Sequence, residues 1–165
     1  MWYVDADGGL DLDKLLADFQ AFFREHFEPP QGREAGVARF DYAEAGPQLL
    51  LQAFLQRIVN SGGRIEREYG LGRGRTDLLI IWPHGDQAAP HAAAKYVIEC
   101  KVLHGGLERT IREGIAQTAD YMDRCGAQAG HLVIFDRGAG TRWEDKIFRR
   151  QEQALDGRRI TVWGM

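Results

Sequence analysis

Apolar residues recur every three or four positions in three stretches of the chain, which is the spacing of one face of an α-helix. These stretches are residues 10–27, 41–60 and 107–124. The start of the second stretch is open, because Asp41 with Glu44 fits a capping box whereas Gly46-Pro47 fits the first turn of a helix that begins later. The pattern therefore predicts three amphipathic helices.

Short runs of consecutive apolar residues predict strands that are buried on both faces of a sheet. The clearest runs are LLIIW (residues 78–82), YVIEC (96–100) and HLVIF (131–135). RIEREY before the first run and RITVW near the end of the chain predict two further strands, and residues 143–153 predict a short charged helix. The order helix, three strands, helix, strand, with additions at both ends, is typical of an α/β protein whose mixed central β-sheet is flanked by helices.

The composition is that of one globular domain. A chain of 165 residues can bury a substantial core, and its 44% hydrophobic and 27% charged residues are ordinary shares. No apolar run reaches the length of a membrane span, and the first residues do not form a signal peptide. We therefore expect a cytoplasmic protein without membrane contact, in which Cys100 and Cys125 are free thiols.

The charge is distributed unevenly along the chain. A net charge of −3 argues against binding nucleic acid by bulk electrostatics. Acids outnumber bases in residues 1–44, however, and bases outnumber acids in the remainder. Arg73 and Arg75 stand directly before the strand that contains Asp77, so they are candidates for phosphate contacts.

Three charged residues lie at the ends of the two central predicted strands. Asp77 precedes LLIIW, and Glu99 and Lys101 close the next run. Side chains alternate between the faces of a strand, so Glu99 and Lys101 share one face and Cys100 points to the other. The ordinary explanation for a Glu-x-Lys sequence is a surface ion pair on an edge strand. Strands that are buried on both faces favour a site instead.

These residues can form a cation site if the two strands pair. Asp77 and Glu99 then converge at one position, with Lys101 beside them. Two carboxylates and a backbone carbonyl, with water in the other positions, suit Mg²⁺ or Mn²⁺. The five histidines, by contrast, show none of the short spacings of metal ligands.

The order Asp77, then Glu99-x-Lys101, resembles the PD-(D/E)XK nuclease superfamily, which has the restriction-endonuclease-like fold. Thr76 stands where the motif has proline. The wider pattern GRGRTDLLI, then VIECKV, then a helix with Gln117 and Tyr121, is similar to the nuclease-like domain at the C-terminal end of a group of bacterial AAA-ATPase-like proteins. The resemblance covers nearly the whole chain.

The resemblance implies a restriction-endonuclease-like core with the order α-β-β-β-α-β. Residues 28–36, EPPQGREAG, interrupt the helical pattern with prolines and glycines. We therefore expect a helical lead-in and linker at residues 1–40, followed by the nuclease-like domain at residues 41–165.

The resemblance also implies a metal-dependent nuclease that hydrolyses phosphodiester bonds in DNA. In it, Asp77 and Glu99 would hold Mg²⁺ or Mn²⁺ with the backbone carbonyl of Cys100. Lys101 would orient the attacking water or stabilise the charge that develops in the transition state. Glu44, on the first core helix, would approach the metal, although it serves equally well as a helix cap.

Gln117 and Tyr121 are four residues apart on the third predicted helix, so they share a face that lies off the core stripe formed by Leu107, Ile111 and Ile115. Taken alone, they predict a surface glutamine and a half-buried tyrosine. The resemblance places them beside the catalytic centre, where they would position the phosphate or Lys101.

Two alternatives remain open. The first is a catalytically silent nucleic-acid-binding or regulatory module that works with an AAA-ATPase-like domain or protein. The second is an interaction domain whose first helix, through Phe19, Phe22 and Phe23, docks onto another chain or forms a homodimer. Packing of that helix on the chain's own core is the simpler expectation.

Overall fold

The computed structural model describes residues 1–29, 46–60, 62–69, 76–83 and 93–165. Its helices and strands are α1 (Leu12–Phe27), α2 (Gly46–Val59), β1 (Arg64–Tyr69), β2 (Thr76–Pro83), β3 (Ala93–Val102), α3 (Leu107–Cys125), β4 (Ala129–Phe135), α4 (Trp143–Lys146), β5 (Phe148–Gln153) and β6 (Arg159–Gly164). None of the helices in these ranges combines the length and the apolarity of a transmembrane segment.

Six strands in the described ranges form one open mixed sheet with the order β1-β2-β3-β4-β6-β5. The strands β1, β2 and β3 form an antiparallel meander. β4 then pairs parallel to β3, β6 pairs parallel to β4, and β5 closes the edge antiparallel to β6. The predicted α/β class and the mixed sheet with flanking helices are thereby confirmed.

The sheet is covered on both faces, which is why its central strands are continuous apolar runs. On one face, α1 and α2 pack against residues that include Ile98 and Trp163. On the other face, α3 packs against residues that include Val97 and Leu132. Neighbouring residues of β3 therefore belong to different cores, as the alternation of side chains along a strand requires.

Helix α1 belongs to the first of these cores. It begins where the Asp11 side chain accepts a hydrogen bond from the backbone N–H of Lys14 at 3.0 Å, which satisfies an N-terminal amide. Phe19 and Phe23 are buried in the core, and the Gln20 amide donates to the carbonyls of Phe148 and Gly164. The aromatic face of α1 thus packs on the chain's own core. This agrees with the simpler of the two expectations for this helix.

The predicted second helix is observed from Gly46 onwards, and residues 41–45 lie outside the described residues. The third helix is observed as predicted, and it ends at Gly126, whose φ of 68° gives the left-handed turn common after a helix. Two glycines allow it to lie close to the sheet, because a Cβ on Gly114 would meet Leu132 and one on Gly130 would meet Met122.

The prediction of one helix over residues 143–153 is wrong. Only Trp143–Lys146 is helical, and Phe148–Gln153 forms the edge strand β5. The side chains of FRRQEQ alternate between half-buried and exposed, which is the period of a strand. The half-buried positions include Arg150 and Glu152, so the alternation is not visible as a pattern of apolar residues. The segment becomes a strand because it pairs with the edge of β6.

His131 is a buried titratable group in the α1 face of the sheet. It is 4% exposed, and its Nδ1 accepts a hydrogen bond from the Trp163 indole at 3.2 Å. Burial lowers the pKa of His131 to about 4; Arg149 adds to this effect, while Asp13 opposes it. The imidazole is therefore neutral in the folded protein over most of the pH range.

We expect Gly164→Ala to lower the free energy of unfolding by about 1–3 kcal/mol, because the added Cβ would overlap the carbonyl oxygen of Lys146 and the ring of Phe148. Gly140→Ala is the matched control, since a Cβ there has no neighbour within 4 Å. Urea denaturation of both variants makes the comparison, and equal stability of the two would contradict this close packing.

We expect acid to destabilise the fold through His131. In the unfolded chain this residue binds a proton below a pH of about 6.5, whereas in the folded chain it does so only near pH 4. Between these values its contribution to stability falls as the pH falls, by up to about 1.4 kcal/mol per pH unit. Denaturation of the wild type and of His131→Gln at several pH values tests this. An equally steep fall in the variant would refute it.

Candidate functional site

The pairing of β2 with β3 brings Asp77 and Glu99 together. The two strands are antiparallel, and Asp77 lies directly opposite Glu99 in their register. Side chains in such a pair share a face, with Cβ atoms about 5 Å apart. The pairing that was inferred from the sequence is therefore present.

Both carboxylates are buried. Asp77 is 3% exposed and Glu99 is 0% exposed, and β3 is an inner strand of the sheet. A surface ion pair on an edge strand is thereby excluded as the explanation for Glu99. Two ionised carboxylates that are held side by side away from water repel each other, so this arrangement is costly unless positive charge compensates it.

The faces of the sheet place this pair on the α3 side. Leu79 and Val97 lie two residues from Asp77 and Glu99, respectively, and both belong to the core beneath α3. Lys101 is two residues beyond Glu99 and half-buried on the same face, level with Ile134 of β4. The backbone geometry thus aligns two acids and one base along one side of the sheet.

Cys100 points the other way, into the core beneath α1 and α2. Its thiol has a pKa raised by burial and, in smaller measure, by the carboxylates of Glu99 and Asp77; Arg67 acts in the opposite direction. The thiol is therefore protonated and lies on the wrong face to bind a cation held by Asp77 and Glu99. The sequence-based prediction concerned only the backbone carbonyl of Cys100, and the orientation of the thiol does not bear on it.

Arg67 is a half-buried positive charge on the opposite face of the sheet from the two carboxylates. It lies on β1 directly opposite Leu78, which shares a core with Cys100, and its charge opposes the effect of Glu99 and Asp77 on the pKa of that thiol. RIEREY contains several charged residues at similar spacing, so the sequence has no signal that distinguishes Arg67. The position of Arg67 near Cys100 depends on the pairing of β1 with β2.

Tyr121 departs from the sequence-based expectation. It is 1% exposed and belongs to the core beneath α3, so the expected position off the core stripe is wrong. The reason is the width of the buried face, since α3 lies over both β3 and β4 and also buries Thr110, Gly114 and Thr118. Arg124 covers the tyrosine ring, with its guanidinium carbon 5.3 Å from the centroid.

Gln117 lies on the flank of α3 that contains Glu113, away from β5. On the opposite flank, Glu108 accepts a hydrogen bond from Arg150 of β5 at 2.9 Å. On the near flank, Glu113 is close enough to Lys101 for that charge to help lower its pKa, although the hydrogen bond from Arg109 is the larger cause. Gln117 follows Glu113 by four residues and therefore lies on the same flank.

The side-chain oxygen of Gln117 is buried and has no hydrogen-bond partner among the described residues. A buried amide oxygen of this kind is costly unless a donor reaches it. The expectation of a merely surface glutamine does not fit this burial.

Three predicted site residues, Glu44, Arg73 and Arg75, lie outside the described residues. Within the ranges that are described, no group of three or more His, Cys, Asp or Glu side chains is arranged to hold a metal ion. The site as described thus offers the carboxylate oxygens of Asp77 and Glu99. Such oxygen donors are the type that Mg²⁺ and Mn²⁺ prefer, and Mg²⁺ commonly binds through one or two carboxylates and water.

Comparison of the chain with protein-family models, with curated proteins and with solved structures returned no match.

We expect the two thiols to react very differently in the folded protein. Cys125 is half-buried at the end of α3, whereas Cys100 is fully buried with a raised pKa. A thiol reagent at pH 8 should therefore modify one cysteine quickly and the second only after unfolding. In Cys125→Ser the rapid reaction should disappear. Rapid modification of both thiols in the native wild type would contradict this burial.

Proposed function

We propose that this chain is a metal-dependent nuclease domain that hydrolyses phosphodiester bonds in DNA, built on a restriction-endonuclease-like core. The observation that carries the proposal is the buried pair of Asp77 and Glu99, directly opposite each other, with Lys101 on the same face. A divalent cation that binds both carboxylates would turn their mutual repulsion into binding free energy.

The order of the elements supports the same proposal. Helix α2 precedes an antiparallel meander of three strands, and α3 then leads into β4, which is parallel to β3. This is the order α-β-β-β-α-β that the resemblance implies. The helix α1 and the pair of β5 and β6 would be additions to that core.

The metal site would consist of Asp77, Glu99 and the backbone carbonyl of Cys100, all of which are oxygen donors. They fit Mg²⁺ or Mn²⁺ better than a soft metal, since the thiol of Cys100 lies on the other face. When bound, such a cation polarises the phosphate and lowers the pKa of a water molecule, which are the usual contributions of a metal to hydrolysis.

The remaining residues of the chain would bind and orient the substrate. Lys101 would donate a hydrogen bond to a phosphate oxygen or to the attacking water, and its positive charge would stabilise the transition state. The Gln117 oxygen would hold the Lys101 ammonium in place. Tyr121, buried one turn further along α3, would act as a positioning residue that fixes the helix over β3.

Three residues outside the described ranges keep their predicted roles within this proposal. Glu44 would hold a water molecule of the outer coordination sphere, and Arg73 and Arg75 would contact phosphates of the DNA. An AAA-ATPase-like domain or protein is the proposed partner that would deliver the DNA.

The central test measures cleavage of linear, circular and single-stranded DNA in Mg²⁺ or Mn²⁺. We expect activity in the wild type and a loss of about 100-fold or more in Asp77→Asn, Glu99→Gln and Lys101→Met, which keep the shape of each side chain and remove its charge. Asp18→Asn and Lys14→Met are the matched controls, because both residues are exposed on α1.

The binding of the cation is measured separately from activity. Calorimetric titration with Mn²⁺ should give weaker binding to Asp77→Asn than to the wild type. Equal affinity in both would remove the proposed metal site. A wild type that binds DNA but does not cleave it would favour the catalytically silent module instead.

A further inference from the structure

A pocket of about 270 Å³ opens beyond the C-terminal ends of β3 and β4, outside the site described above. Its apolar wall is formed by Leu103, Leu107, Ile134 and Phe148, and its polar wall includes Asp136 and Lys146. Ligands of open α/β sheets commonly bind beyond the carboxyl ends of the strands.

The pocket adjoins the proposed catalytic face. Ile134 is the register partner of Lys101, and both lie on the α3 side of the sheet. Adjacent strands are about 4.8 Å apart, so the pocket begins one strand away from Lys101. The connection after β3 is held there by the backbone N–H of Leu103, which donates to the carbonyl of Phe135 at 2.8 Å.

Lys146 is a buried cation at this pocket. The residue is 7% exposed, and burial lowers its pKa although the charge of Asp136 acts in the opposite direction. Its Nζ lies 4.8 Å from the centroid of the Trp143 ring, and within the described residues it forms no hydrogen bond or ion pair. An ammonium withdrawn from water in this way gains most from an anionic ligand.

The start of α3 adds a second favourable feature for an anion. Leu107, the first residue of the helix, lines the pocket, and the N-cap residue is Gly106, which has no side chain to accept a hydrogen bond from the first-turn amides. The amide groups of a first helical turn carry partial positive charge and bind phosphate groups well. The acidic side chain of this turn, Glu108, pairs with Arg150.

The other walls suit a planar base. Leu103 and Leu107 offer apolar surface against which any base can pack, and the ring of Phe148, with the Arg150 guanidinium carbon 5.4 Å from its centroid, completes this wall. Asp136 uses Oδ1 to accept a hydrogen bond from the backbone N–H of Gly138 at 2.8 Å, which leaves Oδ2 for an amino group of the ligand. Asp145, also in the wall, pairs with Arg142.

We propose that this pocket is a nucleotide subsite, which takes the nucleotide next to the cleaved bond, with its phosphate on Lys146 and its base against Leu103, Leu107 and Phe148. The proposal rests on the proposed nuclease function and adds a contact that would set the position of the strand. Lys146 is a binding residue here and takes no part in the chemical step.

The test uses nucleoside 5′-monophosphates and the corresponding nucleosides as probes, with binding followed by titration calorimetry. We expect each monophosphate to bind more tightly than its nucleoside. Lys146→Met should weaken the binding of monophosphates at least about tenfold and leave nucleosides unaffected, because only the phosphate loses its charged partner. Lys146→Arg should restore binding, and the exposed Lys14→Met serves as the control.

A measurement on the wild type alone covers the case in which Lys146→Met does not fold. Addition of a monophosphate should shift the backbone amide resonances of Leu103, Leu107 and Ile134 in a ¹⁵N-labelled sample. Shifts confined to other parts of the chain would overturn the subsite. Inorganic phosphate that binds as tightly as the monophosphates would overturn the role given to the base.

Two comparisons separate this proposal from the nuclease function. Asp77→Asn should lose cleavage and keep monophosphate binding, while Lys146→Met should raise KM for DNA and leave kcat close to that of the wild type. Cleavage with unchanged KM in Lys146→Met would overturn the subsite alone. Binding that depends on Lys146, in a wild type without nuclease activity, would support a nucleotide pocket and remove the nuclease proposal.

Discussion

The register of β3 against its two neighbours is the constraint on which the arrangement of this protein depends. Antiparallel pairing with β2 sets Asp77 opposite Glu99, and parallel pairing with β4 sets Lys101 opposite Ile134. A shift of either pairing by one residue would move these side chains to the other face of the sheet. Because both faces are buried, such a shift would also exchange the apolar residues of β3 between the two cores and disrupt the packing of each, so packing enforces the register.

The two faces of the sheet contain different kinds of polar group. On the α1 side, His131 is neutral and hydrogen-bonded to Trp163 within a packed core, so it stabilises the fold and has no evident chemistry. On the α3 side, the two buried carboxylates of Asp77 and Glu99 and the half-buried Lys101 share one face of the sheet, and α3 contributes the buried Gln117 oxygen. Charged groups that are withdrawn from water are costly, so their concentration on one face distinguishes that face from the other.

Much of this fold could be predicted from residue spacing, because helices and doubly buried strands have strong periodic signals. The third helix and the runs that became β2, β3 and β4 were found in this way. Strand β5 was not found, since its alternating positions include charged residues and its partner is β6. The burial of Tyr121 could not be predicted for a related reason. The width of the buried face of α3 depends on how the helix lies across two strands.

By itself the sequence determined that Glu99 and Lys101 share a face and that Cys100 lies on the other, since the alternation along a strand follows from the backbone alone. Tertiary structure decided that Asp77 meets Glu99, that both are buried, and that a pocket with Lys146 adjoins Lys101. These relations join residues that are far apart in the chain. They depend on strand register and helix packing, which the free energy of the whole core selects and no local pattern specifies.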